Sequence, residues 1–467
     1  MSRWEGFILK NLKHYIKSIE NRARNLLFSA LVSLVNSIFN NRLHFAPKEQ
    51  ITTLKYSGIF NNYEGLNIER VYKEWGKSEK DWNKGEYFKS IELKRNCLEY
   101  IYSRQRVDEL RQIPPFMSIG WSAAIGHIGS LGAFVLGQKL GVVPGAKRCL
   151  PVKDEQSSRM IRNFLEEDLT VVPARIGFSI FENPSQWHLS ERLSMVRTHE
   201  NFISLYELHE SVFSHSDVAN EGIKLSIDLD YEETSKKLLE SMGMPSDSWF
   251  VGLHVREKPN PLDARVAKIE NFYPSLNEVV SRGGWIIRFG TDKMQPLAIK
   301  KNIIDLSRDK LEHRKLHLYI IAKAAFLLTT NSGPSVVAWA LGTPVLQTNT
   351  LAIARNMLTA SAGSIYLPKK YVSNGGRLNS FSEILGSLEG FAESNLKEKF
   401  DHGYQIIENS ANEIQQATFD MFKFLDTGQH NQSLTLQVND IRKEHCAIGY
   451  GQIAPSFLSE NANWFLG

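Results

Sequence analysis

One short turn of the sequence combines residue types that can bind an anion. The segment TTNSGPSVVAWALG, residues 329–342, ends an apolar run and continues as an apolar stretch of helical character. The residues at the predicted helix start are small and polar: Asn331, Ser332, Gly333 and Ser335. Unpaired backbone N–H groups at a helix start favour anions, most often phosphate, and serine hydroxyls add donors. The turn is therefore a candidate phosphate site, although a helix that is simply well capped has the same composition.

A histidine and an arginine two positions apart form a second candidate. His254 and Arg256 lie in GLHVREKPN at the end of an apolar run, so in a strand both side chains point to one face. The planar guanidinium matches two oxygens of a phosphate, and a buried arginine needs such partners. Arg256 is therefore predicted to bind phosphate. His254 fits either the same site or a structural role, and Glu257 follows where the strand gives way to a loop.

Two further segments place polar residues at strand exits. In RFGTDKM, the residues after the apolar run are Gly290, Thr291 and Asp292. The carboxylate could accept hydrogen bonds from a ribose or a base, or it could serve a surface turn. In AIGHIGSLG, a glycine-rich turn contains His127, a candidate general base. The segment lacks G-x-G-x-x-G, so it is a weak dinucleotide fingerprint.

Alternating strand and helix signals would position these residues. The C-terminal half has predicted strands at 249–255, 283–290, 303–307, 324–330 and 343–349, with helices between them. The preceding half has strand-like runs at 147–152 and 169–174 and a predicted helix at about 129–140. This alternation favours parallel sheets, so the sequence predicts an α/β fold with two Rossmann-like domains facing a cleft. Ser410 and Glu413 predict a capping box at a later helix.

The length of 467 residues allows two to three domains. We predict a helical N-terminal region (1–110), an acceptor domain (111–245), a donor domain (246–430) and a C-terminal tail packing on them (431–467). The net charge of +4 is too small to indicate nucleic acid as a partner. The three cysteines are scattered without disulfide or zinc spacing, which favours a reducing cytoplasm.

The N-terminal 45 residues differ in composition from the rest of the chain. Six Lys or Arg residues in 1–25 precede a 14-residue apolar stretch at 26–39, which is too short to span a bilayer. No cleavable signal peptide is expected. A basic helix followed by an apolar one could lie on an anionic membrane surface, or it could be a hairpin packed on the rest of the protein.

Taken together, these motifs resemble the GT-B class of glycosyltransferases. The fucosyltransferase-like branch has an H-x-R motif after the first donor-domain strand, a T-D pair after a later strand and a small-residue turn opening a donor-domain helix. The counterparts here are His254-Val255-Arg256, Thr291-Asp292 and Asn331 to Ser335. The sequence is more similar still to a bacterial family of glycosyltransferases found with surface-glycan genes. In that family GGWIIRFG, TNSGPS with GTPV, IIENSANEI and IAPSFLSENANWFL recur in this order. The resemblance spans about residues 115–467.

The resemblance implies a GT-B fold and a specific reaction. A sugar would move from a nucleotide-diphosphate sugar to a hydroxyl of a glycan or lipid-linked glycan, in surface polysaccharide or glycoconjugate biosynthesis. The implied donor-binding residues are His254, Arg256, Gly290, Thr291, Asp292, Asn331, Ser332, Gly333 and Ser335. Arg256 and the helix start would stabilise the leaving diphosphate without a metal or cofactor, because no D-x-D motif is apparent. His127 or Glu257 would be the base.

Several alternatives stay open at this point. Fewer charged residues follow the H-x-R motif than in the fucosyltransferase pattern, so guanosine diphosphate fucose is one donor among several. A non-catalytic sugar-nucleotide-binding scaffold would share every donor-site residue. A different Rossmann-type sugar-nucleotide enzyme is a further rival. The expected location is the cytoplasm, with peripheral attachment to the inner face of the plasma membrane if the N-terminal segment binds lipid.

Overall fold

The computed structural model describes the chain in separate ranges. These are 70, 73–74, 77–78, 80–81, 87–103, 127–144, 148–152, 169–173, 195–198, 202–204, 207–208, 211–212, 227, 229–257, 264–290, 294–298, 301–307, 316–351, 363–386, 403–429 and 452–466. The N-terminal segment 1–45, with its predicted membrane contact, lies outside them.

Strands and helices alternate through the C-terminal half. In chain order the strands are β1 (Arg148–Val152), β2 (Leu169–Pro173), β3 (Met195–Arg197), β4 (Phe202–Ser204), β5 (Phe250–His254), β6 (Trp285–Arg288), β7 (Ile303–Asp305), β8 (Leu327–Thr330), β9 (Val345–Thr350), β10 (Ile365–Pro368), β11 (Lys370–Val372), β12 (Gln405–Ile407) and β13 (Gln452–Ile453). The α-helices are α1 (Tyr87–Ser103), α2 (His127–Lys139), α3 (Leu229–Ser241), α4 (Tyr273–Ser281, entered through a 3₁₀ turn at Ile269–Phe272), α5 (Leu316–Lys323), α6 (Gly333–Ala340), α7 (Phe381–Gly386), α8 (Ala411–Thr427), α9 (Pro455–Glu460) and α10 (Ala462–Leu466).

The main sheet has seven strands in the order β13-β10-β9-β8-β5-β6-β7, and every neighbouring pair is parallel. Its first strand in the chain, β5, lies inside the sheet. From it β6 and β7 extend to one side, while β8, β9 and β10 extend to the other. This is the doubly wound 3-2-1-4-5-6 order of the Rossmann fold, in which ligands bind at the point where the strand order reverses. That point lies between β5 and β8.

Alternating apolar side chains cover both faces of this sheet. One face contributes Phe250, Ile287, Leu327 and Val345 to a core shared with α2, α3, α5 and α6. The opposite face contributes Val251, Leu253, Ile286, Leu328 and Leu346 to a core shared with α4, α8, α9 and α10. A parallel sheet with helices on both faces needs apolar residues on both, which explains the nearly continuous apolar runs of its strands. The predicted α/β class is confirmed, and this sheet is Rossmann-like.

The helix ends follow their local sequence. Ser410 accepts from the Glu413 N–H while the Glu413 carboxylate accepts from the Ser410 N–H, so the predicted capping box at α8 is confirmed. The helix ends at Gly428, which adopts φ 69°. The part of the tail that the structure describes adds β13 as a seventh strand and packs Phe457 and Phe465 into the core.

The N-terminal half is described in smaller pieces. Strands β1 and β2 pair in parallel, as their sequence predicts, and β3 pairs with β4 in antiparallel fashion. Helix α2 confirms the helix predicted at 129–140, and it packs directly on α6. Its Leu131 and Phe134 lie in the same core as Trp339 of α6. The described part of the first half thus shares a core with the second, while the predicted domain limits and facing cleft stay predictions.

Candidate functional site

The reversal point of the sheet brings together two segments that are far apart in the chain. His254 at the end of β5 is in register with Thr329 of β8. Two residues later, the Arg256 N–H donates to the Thr330 hydroxyl at 2.9 Å, and its carbonyl accepts from the Ala267 N–H at 3.0 Å. The H-x-R motif and the small-residue turn therefore meet at the carboxyl ends of two neighbouring strands, although Arg256 and Thr330 are 74 residues apart in the sequence.

The turn after β8 leads into α6, whose N-cap side chain makes no capping hydrogen bond. Ser332 is the N-cap residue in an extended conformation, and its hydroxyl makes no capping hydrogen bond. Pro334, in the first helical turn, has no N–H to offer. Among the described residues, the Gly333 N–H has no hydrogen-bond partner. This helix start thus lacks a side-chain cap, and it keeps one N–H donor that a ligand could use.

Ser335 is less available than the sequence suggested. It is buried, and its hydroxyl donates to the Ser332 carbonyl at 2.6 Å. Its N–H reaches the same carbonyl at 3.2 Å. A ligand could receive the hydroxyl only if this internal bond were exchanged, so the predicted role of Ser335 as a donor ligand stays a prediction.

A chain of hydrogen bonds connects the turn to β5. Ser332 Oγ lies 3.2 Å from His254 Nδ1 and 3.2 Å from Thr329 Oγ1. The Thr329 hydroxyl donates to the Thr330 carbonyl at 3.0 Å, so it accepts from Ser332. Ser332 in turn accepts from a proton on His254 Nδ1. This order of donors pairs His254 Nδ1, Ser332 Oγ and Thr329 Oγ1 with a neutral imidazole.

The surroundings of His254 keep it uncharged. Burial, followed by the nearby positive charges of His317 and Arg256, lowers the pKa of His254 to about 3. The Phe289 ring lies between the two imidazoles, 5.4 Å from His254 and 5.1 Å from His317, centre to centre. A group with so low a pKa is a poor base at neutral pH, but it is a stable hydrogen-bonding partner.

On the other side of β5, a fully buried arginine joins three strand ends. The Arg288 guanidinium donates to Glu257, to the Gln295 carbonyl and to Asp305 Oδ2, the last at 3.0 Å. The second Glu257 oxygen accepts from the Gln295 N–H at 2.7 Å, and the second Asp305 oxygen accepts from the Ser307 hydroxyl at 2.6 Å. The network ties the ends of β5, β6 and β7 together.

This network bears on the predicted base Glu257. Burial raises the pKa of Glu257, while the Gln295 N–H and the Arg288 charge oppose the rise. Both carboxylate oxygens are engaged, and only 6% of the side chain is exposed. In this conformation Glu257 is a structural partner of Arg288, and its role as base stays a prediction that would need the pair to open.

The structure describes some of the remaining predicted site residues and not others. Gly290 follows β6 with φ 155°, and a side chain there would meet Met294, whose Sδ would lie 2.4 Å from the added Cβ. Thr291 and Asp292 lie outside the described residues. Asn331 is half-buried beside Ser332. Helix α2 begins at His127, but the His127 side chain lies outside what the structure describes, so its catalytic role stays a prediction.

Sequence reasoning missed a buried amide pair at the next strand. The Asn349 N–H donates to Asn409 Oδ1 at 2.6 Å, and the Asn409 N–H donates to Asn349 Oδ1 at 3.0 Å. Asn349 adopts φ 52°, a left-handed conformation that asparagine tolerates better than most residues. The pair fastens the end of β9 to the start of α8. Its only sequence signal is an amide at the end of an apolar strand.

The described part of the chain lacks two features that other ligands would need. It contains no group of three or more His, Cys, Asp or Glu side chains that could hold a metal ion. None of its helices is both long enough and apolar enough to cross a bilayer. The metal-independent reaction and the membrane contact both stay predictions.

Comparisons with known proteins give distant structural similarities. No family model and no curated protein match the chain. A glycosyl transferase family 9 structure from Veillonella parvula aligns at 12% identity over 48% of this chain and 61% of that chain, with a TM-score of 0.26. The E. coli heptosyltransferase WaaC with ADP aligns at 13% identity over 61% of this chain and 100% of that one, with a TM-score of 0.31. The dodecameric iron-containing heptosyltransferase TibC with ADP-D-beta-D-heptose aligns at 12% identity over 53% of this chain and 59% of that one, with a TM-score of 0.29.

The chain spans less than two thirds of the length of the first and third of these proteins. At these identities and TM-scores, their ligands and activities do not transfer to this chain.

Proposed function

We propose that the protein is a glycosyltransferase that binds a nucleotide-diphosphate sugar at the reversal point between β5 and β8. The observation that carries the proposal is the convergence there of Arg256 and the open N-terminus of α6. A guanidinium and a helix N-terminus are complementary to an anion, and together they suit a diphosphate. In glycosyl transfer that diphosphate is the leaving group, so the same contacts would stabilise the charge that develops as the sugar departs.

The location favours a diphosphate over a dinucleotide. In Rossmann dinucleotide enzymes the pyrophosphate lies on a glycine-rich turn after the first strand. Here the sequence that follows β5 reads VREKPN, without glycine, and the small-residue turn follows β8 instead. These features support a sugar-nucleotide transferase over a nicotinamide-dependent sugar-nucleotide enzyme. Addition of NAD(H) to the purified protein should leave the cofactor's absorbance and fluorescence unchanged.

The proposed role of each residue follows from its position in the site. Arg256 would bind the diphosphate, with the Gly333 N–H and the Ser332 and Asn331 side chains beside it. Gly290, Thr291 and Asp292, at the exit of β6, would hold the nucleoside. The general base would be His127 or a Glu257 released from Arg288, and His254 is excluded from that part by its low pKa. The acceptor would be a glycan or lipid-linked glycan, in surface polysaccharide or glycoconjugate synthesis at the cytoplasmic side of the membrane.

Binding of diphosphates tests the site directly. We expect isothermal titration calorimetry to detect at least one of ADP, GDP, UDP and CDP, each more tightly than its monophosphate. Arg256→Ala should weaken diphosphate binding about 10–100-fold, the range of a charge-assisted hydrogen bond. Arg377→Ala is the matched control, because Arg377 forms an exposed ion pair with Glu383 in a later part of the sequence than Arg256. Equal affinity of Arg256→Ala and the native protein would contradict the phosphate role.

Turnover separates an enzyme from a binding scaffold. A transferase should release free sugar slowly from its nucleotide donor even without acceptor, and Arg256→Ala should lower that rate at least 100-fold. A scaffold would bind the same donor and release nothing. Gly333→Val gives an independent check, because a branched side chain at the open end of α6 should block the diphosphate while melting temperature changes little.

A further inference from the structure

Lys369 is a buried lysine that directly follows β10. Only 3% of the residue is exposed, and a lysine is seldom buried unless its ammonium group has partners. Its main-chain N–H donates to the Thr350 carbonyl at 2.7 Å, which fixes the residue to the end of β9. Its Nζ donates to the Ala264 carbonyl at 2.8 Å and to the Val266 carbonyl at 2.9 Å. The ammonium group therefore binds main chain that lies 105 and 103 residues earlier in the sequence, on the segment that follows β5.

One peptide group connects Lys369 with Arg256. The Val266 carbonyl and the Ala267 N–H belong to the same planar trans peptide, so they point in opposite directions. The carbonyl accepts from Lys369 Nζ, and the N–H donates to the Arg256 carbonyl at 3.0 Å. Because the peptide is planar, a bond that fixes its oxygen also fixes the direction of its N–H. The positive charge on Lys369 polarises the peptide and strengthens that donor.

The main chain of Arg256 is held from two sides as a result. Its N–H donates to the Thr330 hydroxyl of β8, and its carbonyl is held by the peptide that Lys369 fixes. We propose that Lys369 is a positioning residue, which acts through the 266–267 peptide to orient Arg256 toward a bound diphosphate. The inference rests on the proposed function, and it goes beyond that function by assigning Lys369 a role in the affinity of the site.

The adjacent lysine provides a matched control. Lys370 forms an ion pair with Glu413 of α8 at 3.3 Å, and its Nζ lies 5.1 Å from the centre of the Phe457 ring. It is therefore also a partly buried lysine with a specific partner, but that partner belongs to a helix and not to the segment after β5. Lys370→Met reports what the loss of such a lysine does to the fold as a whole.

A double-mutant cycle between Lys369 and Arg256 tests the proposal by calorimetry. The proteins are the native chain, Lys369→Met, Arg256→Ala, the double variant and Lys370→Met. The ligands are inorganic pyrophosphate, ADP, GDP and UDP. We expect Lys369→Met to weaken binding about 5–10-fold in the native background, the effect of about one hydrogen bond. In the Arg256→Ala background the same change should alter affinity less than about twofold, because no guanidinium remains to be positioned.

A third variant separates hydrogen bonding from charge. Lys369→Gln keeps a side-chain N–H donor for the Val266 carbonyl but removes the positive charge. We expect its diphosphate affinity to stay within about twofold of the native value, since the peptide is still held. Lys370→Met should also bind with native affinity.

Hydrogen exchange followed by mass spectrometry gives an arm of the test that needs no ligand. The Ala267 N–H is protected by its bond to the Arg256 carbonyl. Lys369→Met should speed the exchange of peptides that contain Ala267 about tenfold, because the peptide is released from its anchor. Lys369→Gln and Lys370→Met should leave that exchange near the native rate.

Each outcome supports or overturns the proposal. Equal weakening by Lys369→Met in both Arg256 backgrounds would mean that Lys369 acts on the ligand or on the whole fold, and the positioning role would be wrong. Unchanged exchange at Ala267 in Lys369→Met would overturn the hold on the peptide. If Lys369→Met does not fold, Lys369→Gln decides: a loss of affinity with Ala267 still protected would show that the charge acts directly. If the native protein binds none of these ligands, the proposed function fails, and the exchange arm alone still accepts or rejects the hold of Lys369 on Arg256.

Discussion

Replacing Arg288 by methionine should expose how much the buried charge network supports the site. Arg288 is fully buried, and the Glu257 side chain paired with it is 6% exposed. Methionine preserves much of the volume but leaves two carboxylates without their shared cation. Removing one partner of a buried ion pair costs about 3–5 kcal/mol, because the other charge stays desolvated. We expect Arg288→Met to lower the free energy of unfolding by about that amount at neutral pH.

Two companion variants isolate the buried charge as the cause. Adding Glu257→Gln to Arg288→Met should recover a large part of the loss, since the stranded carboxylate is then neutral. Arg377→Met should cost less than about 1 kcal/mol, because the Arg377–Glu383 pair is exposed on both sides. Lower pH should also reduce the difference in free energy of unfolding between Arg288→Met and the native protein. An unpaired buried carboxylate has a raised pKa, and once it is protonated it no longer destabilises the fold.

Urea denaturation followed by tryptophan fluorescence measures these differences. Native-like stability of Arg288→Met would refute the reasoning, and so would strictly additive effects of Arg288→Met and Glu257→Gln. A calorimetric titration on the folded double variant then asks a second question. If the network positions the chain after β5, diphosphate affinity should fall even where stability has recovered, because the adjoining Arg256 is no longer anchored through Glu257.

Three further results are expected. Burial lowers the pKa of His254 from 6.5 to about 3, so the unfolded chain binds a proton at a higher pH than the folded one. As pH falls from 6.5 to 5, the free energy of unfolding should therefore decrease by up to about 2 kcal/mol, and His254→Phe should flatten that part of the pH profile in urea denaturation. Gly284→Ala should cost about 1–3 kcal/mol, since its Cβ would lie 2.4 Å from the Trp249 ring, whereas Gly375→Ala, with open space, should be neutral in the same assay. Full-length protein should co-sediment with anionic vesicles at low salt and release at high salt through its basic segment 1–45, and retention of binding by a chain starting after that segment would contradict this.

The sequence predicted the sheet well wherever strands were long and bounded by breakers. The runs that became β5, β6 and β8 are mostly apolar, and Gly290 and Asn331 follow β6 and β8 closely, so their type and rough limits were readable. The short strands β10 and β13 were missed. Ile365–Pro368 has four residues and Gln452–Ile453 has two, and neither length carries a period. Their place in the sheet is set by pairing with β9 and with each other.

From the sequence, the candidate site could be predicted only as a set of residues, without their contacts. Residue types and positions after strands made Arg256 and the turn at Ser332 candidates, and their binding of a ligand stays a prediction. Pairing across the fold could not be read from them. Arg288 binds partners 31 and 17 positions away along the chain, and that choice depends on strand order. Ser332 has the sequence context of an N-cap, but its hydroxyl lies 3.2 Å from His254 Nδ1 of a neighbouring strand, and the sequence does not show that contact.

The two polar networks beside β5 differ in kind, and the difference explains where an anion would go. Toward β6 and β7 the network is charged, with the carboxylates of Glu257 and Asp305 held by Arg288. Toward β8 it is neutral, built from hydroxyls and an imidazole kept uncharged by burial. A phosphate approaching from the β6 side would meet two carboxylates. From the β8 side it would meet the start of α6, where Ser332 makes no capping hydrogen bond. Strand order thus places the charged network on one side of β5 and the neutral one on the other, and the proposed diphosphate would bind on the neutral side.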